Sequence, residues 1–266
     1  MADLDTPFTR GPARRPVPRV ADPLLQWATG LTTKDRRIYA GWFVEAGKLD
    51  TLDQAMAQAG FAHVTIKHGG GNLVTHWAVE TANLFVVAEG VQAIGEMQHT
   101  TERYGIAFGW RTLDDGRRQS QLRARVLLRE LLAVGYREPV LLTAKSTLTG
   151  DVIAALTGQY AVLDAVDAFR AADKKPPLSP PFYACSIPLG PGQEVARGSG
   201  GQTKQITPPI ACMPSPIIKD YVRAHWIRRD WAALIEGMLD DTIRWSVVTS
   251  QQLGVGDEDA PAGTEE

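Results

Sequence analysis

The sequence predicts an α+β fold: an antiparallel, partly curled sheet with helices packed on one side. Three observations carry this reading. The segments flanking Gly69-Gly70-Gly71-Asn72, and the segment 104–112, alternate in side-chain character with the period of a strand. Segments 149–172 and 230–250 place apolar residues at helical spacing. The order of these segments lacks the regular βαβα rhythm of a doubly wound sheet. With 266 residues, 44% of them hydrophobic, the chain can bury a substantial core. It divides into a basic arm over 1–22, a single α+β domain over 23–250, and an acidic disordered tail over 251–266.

Taken in order, residues 1–22 are rich in Pro, Arg and Ala and hold no periodic apolar pattern. Residues 22–45 bring Trp27, Tyr39, Trp42 and Phe43, which would dock the start of the domain. Residues 51–59 read as a helix with Asp50 as N-cap and Gly60 as its stop. Residues 63–68 and 73–79 read as a hairpin about the glycine run. With 69–72 as the loop and His68 opposite Leu73, Val64, Ile66, Leu73 and Trp77 share an apolar face; His63, Thr65, Lys67 and His76 share the polar one. Strands follow at 83–89 and 104–112. Residues from 117 return as a strand that passes into a short helix before Gly135, and 139–145 is a further strand. One helix runs from Thr149 to about Ala172, a proline-rich linker covers 174–181, and strands at 182–189 and 205–212 enclose a long Gly-rich loop. Helices over 217–224 and 230–250 close the domain.

The formal net charge of −2 and a pI near 6.2 argue against a simple polycation. The distribution is uneven. Arg103, Arg111, Arg117, Arg118, Arg123, Arg125, Arg129, Arg137 and Lys145 lie within 101–150, against Glu102, Asp114, Asp115, Glu130 and Glu138. Beyond Arg244 the only charges are Asp257, Glu258, Asp259, Glu265 and Glu266. A basic middle and an acidic tail attract each other, and such a tail competes with a polyanion. Cys185 and Cys212 make no secreted disulfide framework. No uninterrupted apolar run reaches membrane-spanning length, and the arginine-bearing start lacks an apolar h-region. These features describe a cytoplasmic protein without a membrane partner.

The stretch Tyr104-Gly105-Ile106-Ala107-Phe108-Gly109-Trp110-Arg111 is the strongest functional signal. As a strand it sets Tyr104, Ile106, Phe108 and Trp110 on one face and Gly105, Ala107, Gly109 and Arg111 on the other. Exposed rings stack bases without sequence preference, and arginines beside them hold phosphates. The candidate nucleic-acid-binding residues are therefore Lys67, Tyr104, Phe108, Trp110, Arg111, Arg117, Arg118, Arg123 and Arg125, with His63 and His76 widening the basic face. The same ladder would equally serve as the core face of a sheet.

Enzyme motifs do not assemble. Gly198-Ser199-Gly200-Gly201-Gln202-Thr203-Lys204 lacks the Gly-Lys-Ser/Thr ending of a phosphate loop, and no nucleophile elbow occurs. His63 and His76 supply two of the ligands a zinc site needs, with no Cys-x-x-Cys to complete it. No catalytic set, metal or cofactor is assigned. The segment from Arg103 to Phe108 resembles the aromatic RNA-binding strand of RRM domains in composition, although Tyr104 separates the basic residue from the glycine and the βαββαβ order is missing. In layout, from about residue 42 to 249, the ladder, arginine-rich window, Gly-rich loop and acidic tail resemble single-strand DNA-binding or annealing proteins carried by phages and plasmids. That resemblance implies an OB-like or similarly curled sheet, no cofactor, single-stranded DNA (or RNA) as partner, and roles in replication, repair or recombination. Tails in that family often end in an aromatic or apolar tip that recruits partners, whereas this one ends Gly263-Thr264-Glu265-Glu266. Two other readings stay open: a metal-dependent hydrolase or nuclease using His63, His76 and a distant carboxylate, and a structural protein whose aromatic surface assembles it into homo-oligomers.

Overall fold

The computed structural model describes residues 22–29, 32–33, 36–37, 40–67, 73–99, 104–112, 116, 118–197 and 203–253. Its elements, in chain order, begin with β1 (Leu24–Thr29), the short pair β2 (Thr32–Thr33) and β3 (Arg36–Arg37), β4 (Ala40–Glu45) and α1 (Asp50–Gln58). There follow β5 (Ala62–Lys67), β6 (Leu73–Val79), β7 (Ala82–Val86), α2 (Ile94–His99), β8 (Ile106–Thr112), β9 (Arg118–Leu128) and α3 (Arg129–Ala133). The chain continues through β10 (Val140–Lys145), α4 (Thr147–Thr157), α5 (Gln159–Ala172), a 3-10 turn (Phe182–Ala184) and β11 (Ile187–Pro191). It closes with β12 (Val195–Arg197), β13 (Lys204–Ile206), β14 (Pro209–Ala211), α6 (Lys219–His225) and α7 (Arg229–Gln252).

Among the described residues, ten strands form one mixed sheet in the order β14-β11-β7-β9-β10-β1-β4-β6-β5, with β8 on the same edge of β9 as β7. The fold is α+β, as the sequence predicts. Two parts of that prediction are corrected. The sheet is mixed, because β1 inserts between β4, its antiparallel partner, and β10, beside which it runs parallel. Helices cover both faces. The inner face carries Leu25, Trp27, Trp42, Val44, Leu122, Ala124, Val126 and Leu142, buried in one cluster with Leu52 and Met56 of α1, Val152 and Leu156 of α4, and Val162 and Val166 of α5. The outer face carries Phe85, Val87 and Leu127, buried against Trp231, Ile235, Met238 and Leu239 of α7. That i, i+4, i+7, i+8 stripe needs an apolar surface of its own, and the far side of β7 and β9 supplies it.

The sheet bends around its inner face. The Trp42 indole on β4 donates to the Leu189 carbonyl on β11 at 2.9 Å, although β7, β9, β10 and β1 lie between those strands in the order. The neighbouring Trp27 donates to the Thr207 carbonyl at 2.8 Å and meets Trp42 edge-on. No strand pairing among the described residues closes this curl into a barrel.

Local chemistry moves several expected boundaries. Leu49, not Asp50, precedes α1, and Asp53 takes the turn instead: its carboxylate accepts from the Gly47 amide at 2.9 Å and from the Trp77 indole at 2.6 Å. The single helix expected over 149–172 is two helices that part at Gly158, where a Cβ would meet the Met213 methyl at 2.7 Å. An 18-residue stretch within Thr147–Ala172 has a mean hydropathy of 1.3, enough by composition for a membrane span, but Val152, Leu156, Val162 and Val166 are buried in the inner core. The Gly-rich loop holds the β12–β13 hairpin, with residues 198–202 outside the described residues. Asp22 is fixed by Arg125, and α7 runs past residue 250 to Gln252.

Candidate nucleic-acid interface

β7 and β8 lie in line along one edge of β9. Leu84, Phe85 and Val86 pair with Leu128, Leu127 and Val126, and β8 takes over from Ile106 opposite Ala124. Between them the chain leaves the sheet and returns. The Glu89 amide donates to the Tyr104 carbonyl at 2.7 Å and closes the neck of this excursion. Gly105, at φ +105°, makes the return; a Cβ there would meet the Val87 carbonyl oxygen at 2.7 Å.

The alternation of β8 is as the sequence predicts, and its ladder faces inward. Ile106 is 2% exposed and Phe108 0%, so the base-stacking role expected for Phe108 is corrected to a core role. Trp110 is half-buried, packed on the inner cluster and edge-on to Phe108 at 5.9 Å. Tyr104, 38% exposed just before the strand, is the most exposed of the three rings. Ala107 and Gly109 are small because α7 ends on them. The Trp110 amide donates to the Leu253 carbonyl at 2.8 Å, the Phe108 amide to the Ser250 hydroxyl at 3.1 Å, and a Cβ on Gly109 would strike Leu253. The outer amides of an edge strand are thereby satisfied by a helix end.

The arginines do not form one row. On β9, Arg123 and Arg125 lie on the outer face with Gln121 and Leu127, whereas Arg118 falls on the other face, in the frame of Leu122 and Ala124. Arg125 is already neutralised: its Nε donates to Asp22 at 2.8 Å, its guanidinium lies 4.8 Å from the Trp245 ring centre, and both members of the ion pair are about nine-tenths enclosed, at 11% and 10% exposure. The phosphate-holding role expected for Arg125 is therefore corrected to a structural one. Arg123 is half-buried between Ala107 and Thr143, with its Nε enclosed and without a hydrogen-bond partner among the described residues. Arg118 is exposed at the free end of the β8–β9 hairpin, opposite Thr112, and Lys145 is exposed at the end of β10, opposite Gln121. Arg117 and the side chains of Lys67 and Arg111 lie outside the described residues; the backbones of Lys67 and Arg111 pair with Leu73 and Gln119.

The hairpin at the far edge shows a register one residue away from the expected one. Lys67, not His68, is opposite Leu73, so His63 faces Trp77 while His76 faces Val64. The two imidazoles consequently stand on opposite faces, His63 tilted over Trp77 at 4.5 Å and His76 edge-on to Phe43 at 5.6 Å. This removes the ligand pair on which the metal-dependent hydrolase reading rested. Among the described residues no group of three or more His, Cys, Asp or Glu is placed to hold a metal ion.

Three further sets of titratable groups are tied into the fold. Cys185 is a buried thiol pushed up to about 12 by desolvation. His225 is held down to about 4, by burial first and the Arg129 charge second; neutral at ordinary pH, it hydrogen-bonds the Ser186 hydroxyl through Nδ1 at 3.0 Å. Arg197 forms a two-point pair with Asp151, at 2.8 and 2.6 Å, which ties the β12–β13 hairpin to α4. Sequence reasoning missed Asp22, Asp151 and Trp245, whose partners are remote in the chain and leave no local signal.

The chain matches no protein-family model, no curated protein and no solved structure.

Proposed function

We propose that this protein binds single-stranded nucleic acid, DNA foremost, without catalysing a reaction, and that it grips the phosphate backbone at the free end of the β8–β9 hairpin. The observation that carries this is the exposure of Arg118 and Lys145 at the same end of adjoining strands, in the stretch where basic residues outnumber acidic ones. Arg111 and Arg117 belong to that end by position in the chain. Tyr104 is the ring available to stack on a base, at the opposite end of β8. A curled, open sheet in place of a closed OB barrel is the scaffold. Such a grip reads charge and not sequence, and it suits a protein that acts where strands are parted, in replication, repair or recombination.

The test is a fluorescence-anisotropy titration of labelled oligo(dT), the matching RNA and a duplex, at two salt concentrations. Binding that prefers single strands and weakens with salt is expected. Arg118→Ala combined with Lys145→Ala should flatten the log–log salt slope by about 1.4, since each lost phosphate contact removes about 0.7 on a single strand. Absence of binding, or an unchanged slope in the double variant, rejects the proposal.

A further inference from the structure

We propose that the outer face of the sheet holds a site for a phosphate monoester, built from Arg123 and Gln121 on β9 and Lys145 on β10. The inference goes beyond the strand-binding reading, whose exposed Arg118 lies on the other face. Two neighbouring arginines carry it by contrast. Arg123 and Arg125 are successive outer-face residues of one strand, and both are half-buried. Arg125 has its counter-ion: Asp22, from ahead of β1, accepts from its Nε at 2.8 Å. Arg123 has none. Its Nε is enclosed without a hydrogen-bond partner among the described residues, and none of the ion pairs among them includes it. A guanidinium withdrawn from water and left unpaired is unfavourable, and an anion bound beside it relieves that.

The register sets the charge of what fits. Arg123 is opposite Thr143 on β10, and Gln121, 2% exposed, is opposite Lys145. Arg123 and Lys145 are therefore diagonal neighbours on one face, with Cα atoms about 7–8 Å apart. Both side chains are long enough to meet at one group between them. Lys145 is exposed and, like Arg123, belongs to none of those ion pairs. The flanking positions bring no acid. Thr143 donates its hydroxyl to the Leu141 carbonyl at 3.3 Å, Gln26 follows it in the row on β1, and Ala107 and Gly109 stand on the β8 side. The site thus combines a guanidinium fork, an ammonium and a buried amide. A phosphate monoester carries about −1.5 to −2 charges at pH 7 and matches the two cations. A carboxylate or a strand's phosphodiester carries one. The fork supplies paired donors to adjacent phosphate oxygens.

Lys145 also belongs to the strand grip, so the test uses phosphate that is no part of a strand. The full chain is titrated with inorganic phosphate, a nucleoside 5′-monophosphate and dimethyl phosphate, and NMR follows the Gln121 side-chain amide and the Arg123 Nε–H. Saturable shifts at both groups are expected with the first two, half-complete at about 1 mM or below. The dimethyl ester should bind at least about tenfold more weakly. Arg123→Met should abolish the Gln121 shift; should that variant not fold, Lys145→Gln at the exposed rim decides, with an expected loss of at least about fivefold. No shift at about 20 mM phosphate, shifts confined to other parts of the molecule, equal affinity for the dimethyl ester, or full affinity in Lys145→Gln overturns the proposal. Oligo(dT) with and without a 5′-phosphate then identifies the source. A shift of the Arg123 Nε–H with the phosphorylated strand alone assigns the site to strand ends, and silence with both strands assigns it to free phosphate or mononucleotides. A shift with both strands means that a diester fits and overturns the monoester assignment. Failure of the phosphate titration leaves the strand-binding reading to its own salt slope, which is measured on the backbone of oligo(dT).

Discussion

Phe108 shows what one residue's placement decides. It stands on the inner face, fully enclosed, with Leu122 opposite and Trp110 edge-on. Removing its ring leaves a void in a packed cluster, so Phe108→Ala should lower stability by about 3–5 kcal/mol in urea unfolding. The milder Phe108→Leu should fold and bind oligo(dT) with the wild-type salt slope, while Tyr104→Ala should weaken binding without loss of stability. Reversal of that pattern, with binding tracking residue 108 and not 104, would return Phe108 to the interface. The alternation of this strand was legible in the chain because side chains take opposite sides at every step. Which side faces the core was not, since that depends on α4 and α5 arriving on one face and α7 on the other. The same holds for Arg125: its charge is plain in the sequence, and its neutralisation by Asp22 beneath Trp245 is not.

At the scale of an element, two glycines next to helices have opposite consequences. Gly237 sits exposed within α7, and a Cβ there would meet nothing within 4 Å. Gly237→Ala should therefore stabilise the protein by about 0.8–1 kcal/mol through helix propensity alone. Gly109 lies under the end of the same helix, and a Cβ there would come within 2.8 Å of the Leu253 carbonyl oxygen. Gly109→Ala should cost about 1–3 kcal/mol and speed amide exchange at Phe108 and Trp110, whose hydrogens that helix end holds. Equal stability of the two variants would mean that α7 does not grip β8. Most elements could be read from periodicity, including the strand that turns directly into α3. The β5–β6 register could not: a glycine-rich loop fixes neither its own length nor the pairing, and a one-residue difference sends His76 to the other side of the sheet from His63.

The molecule as a whole depends on its first strand. Without β1, the sheet would be two antiparallel blocks: β14, β11, β7, β8, β9 and β10 on one side, and β4, β6 and β5 on the other. β1 joins them, pairing in parallel with β10 and antiparallel with β4, and its Trp27 helps to fasten the curl through the Thr207 carbonyl. Such a join of distant segments has no local signature, so neither the parallel pair nor the bend across four strands could be read from the chain in advance. It has a sharp consequence at Gln26, which is opposite Thr143 on one side and Phe43 on the other. Its side chain is only half-buried, so the cost of replacing it falls on the backbone. Gln26→Pro removes a ladder donor from a central strand and should destabilise the fold by about 3 kcal/mol or more. Gln26→Ala should change stability by less than about 1 kcal/mol. Hydrogen exchange on the proline variant should rise together in β4 and β10, because both ladders hang on the same strand. Faster exchange in one of them alone would show that the two blocks are joined by something other than β1.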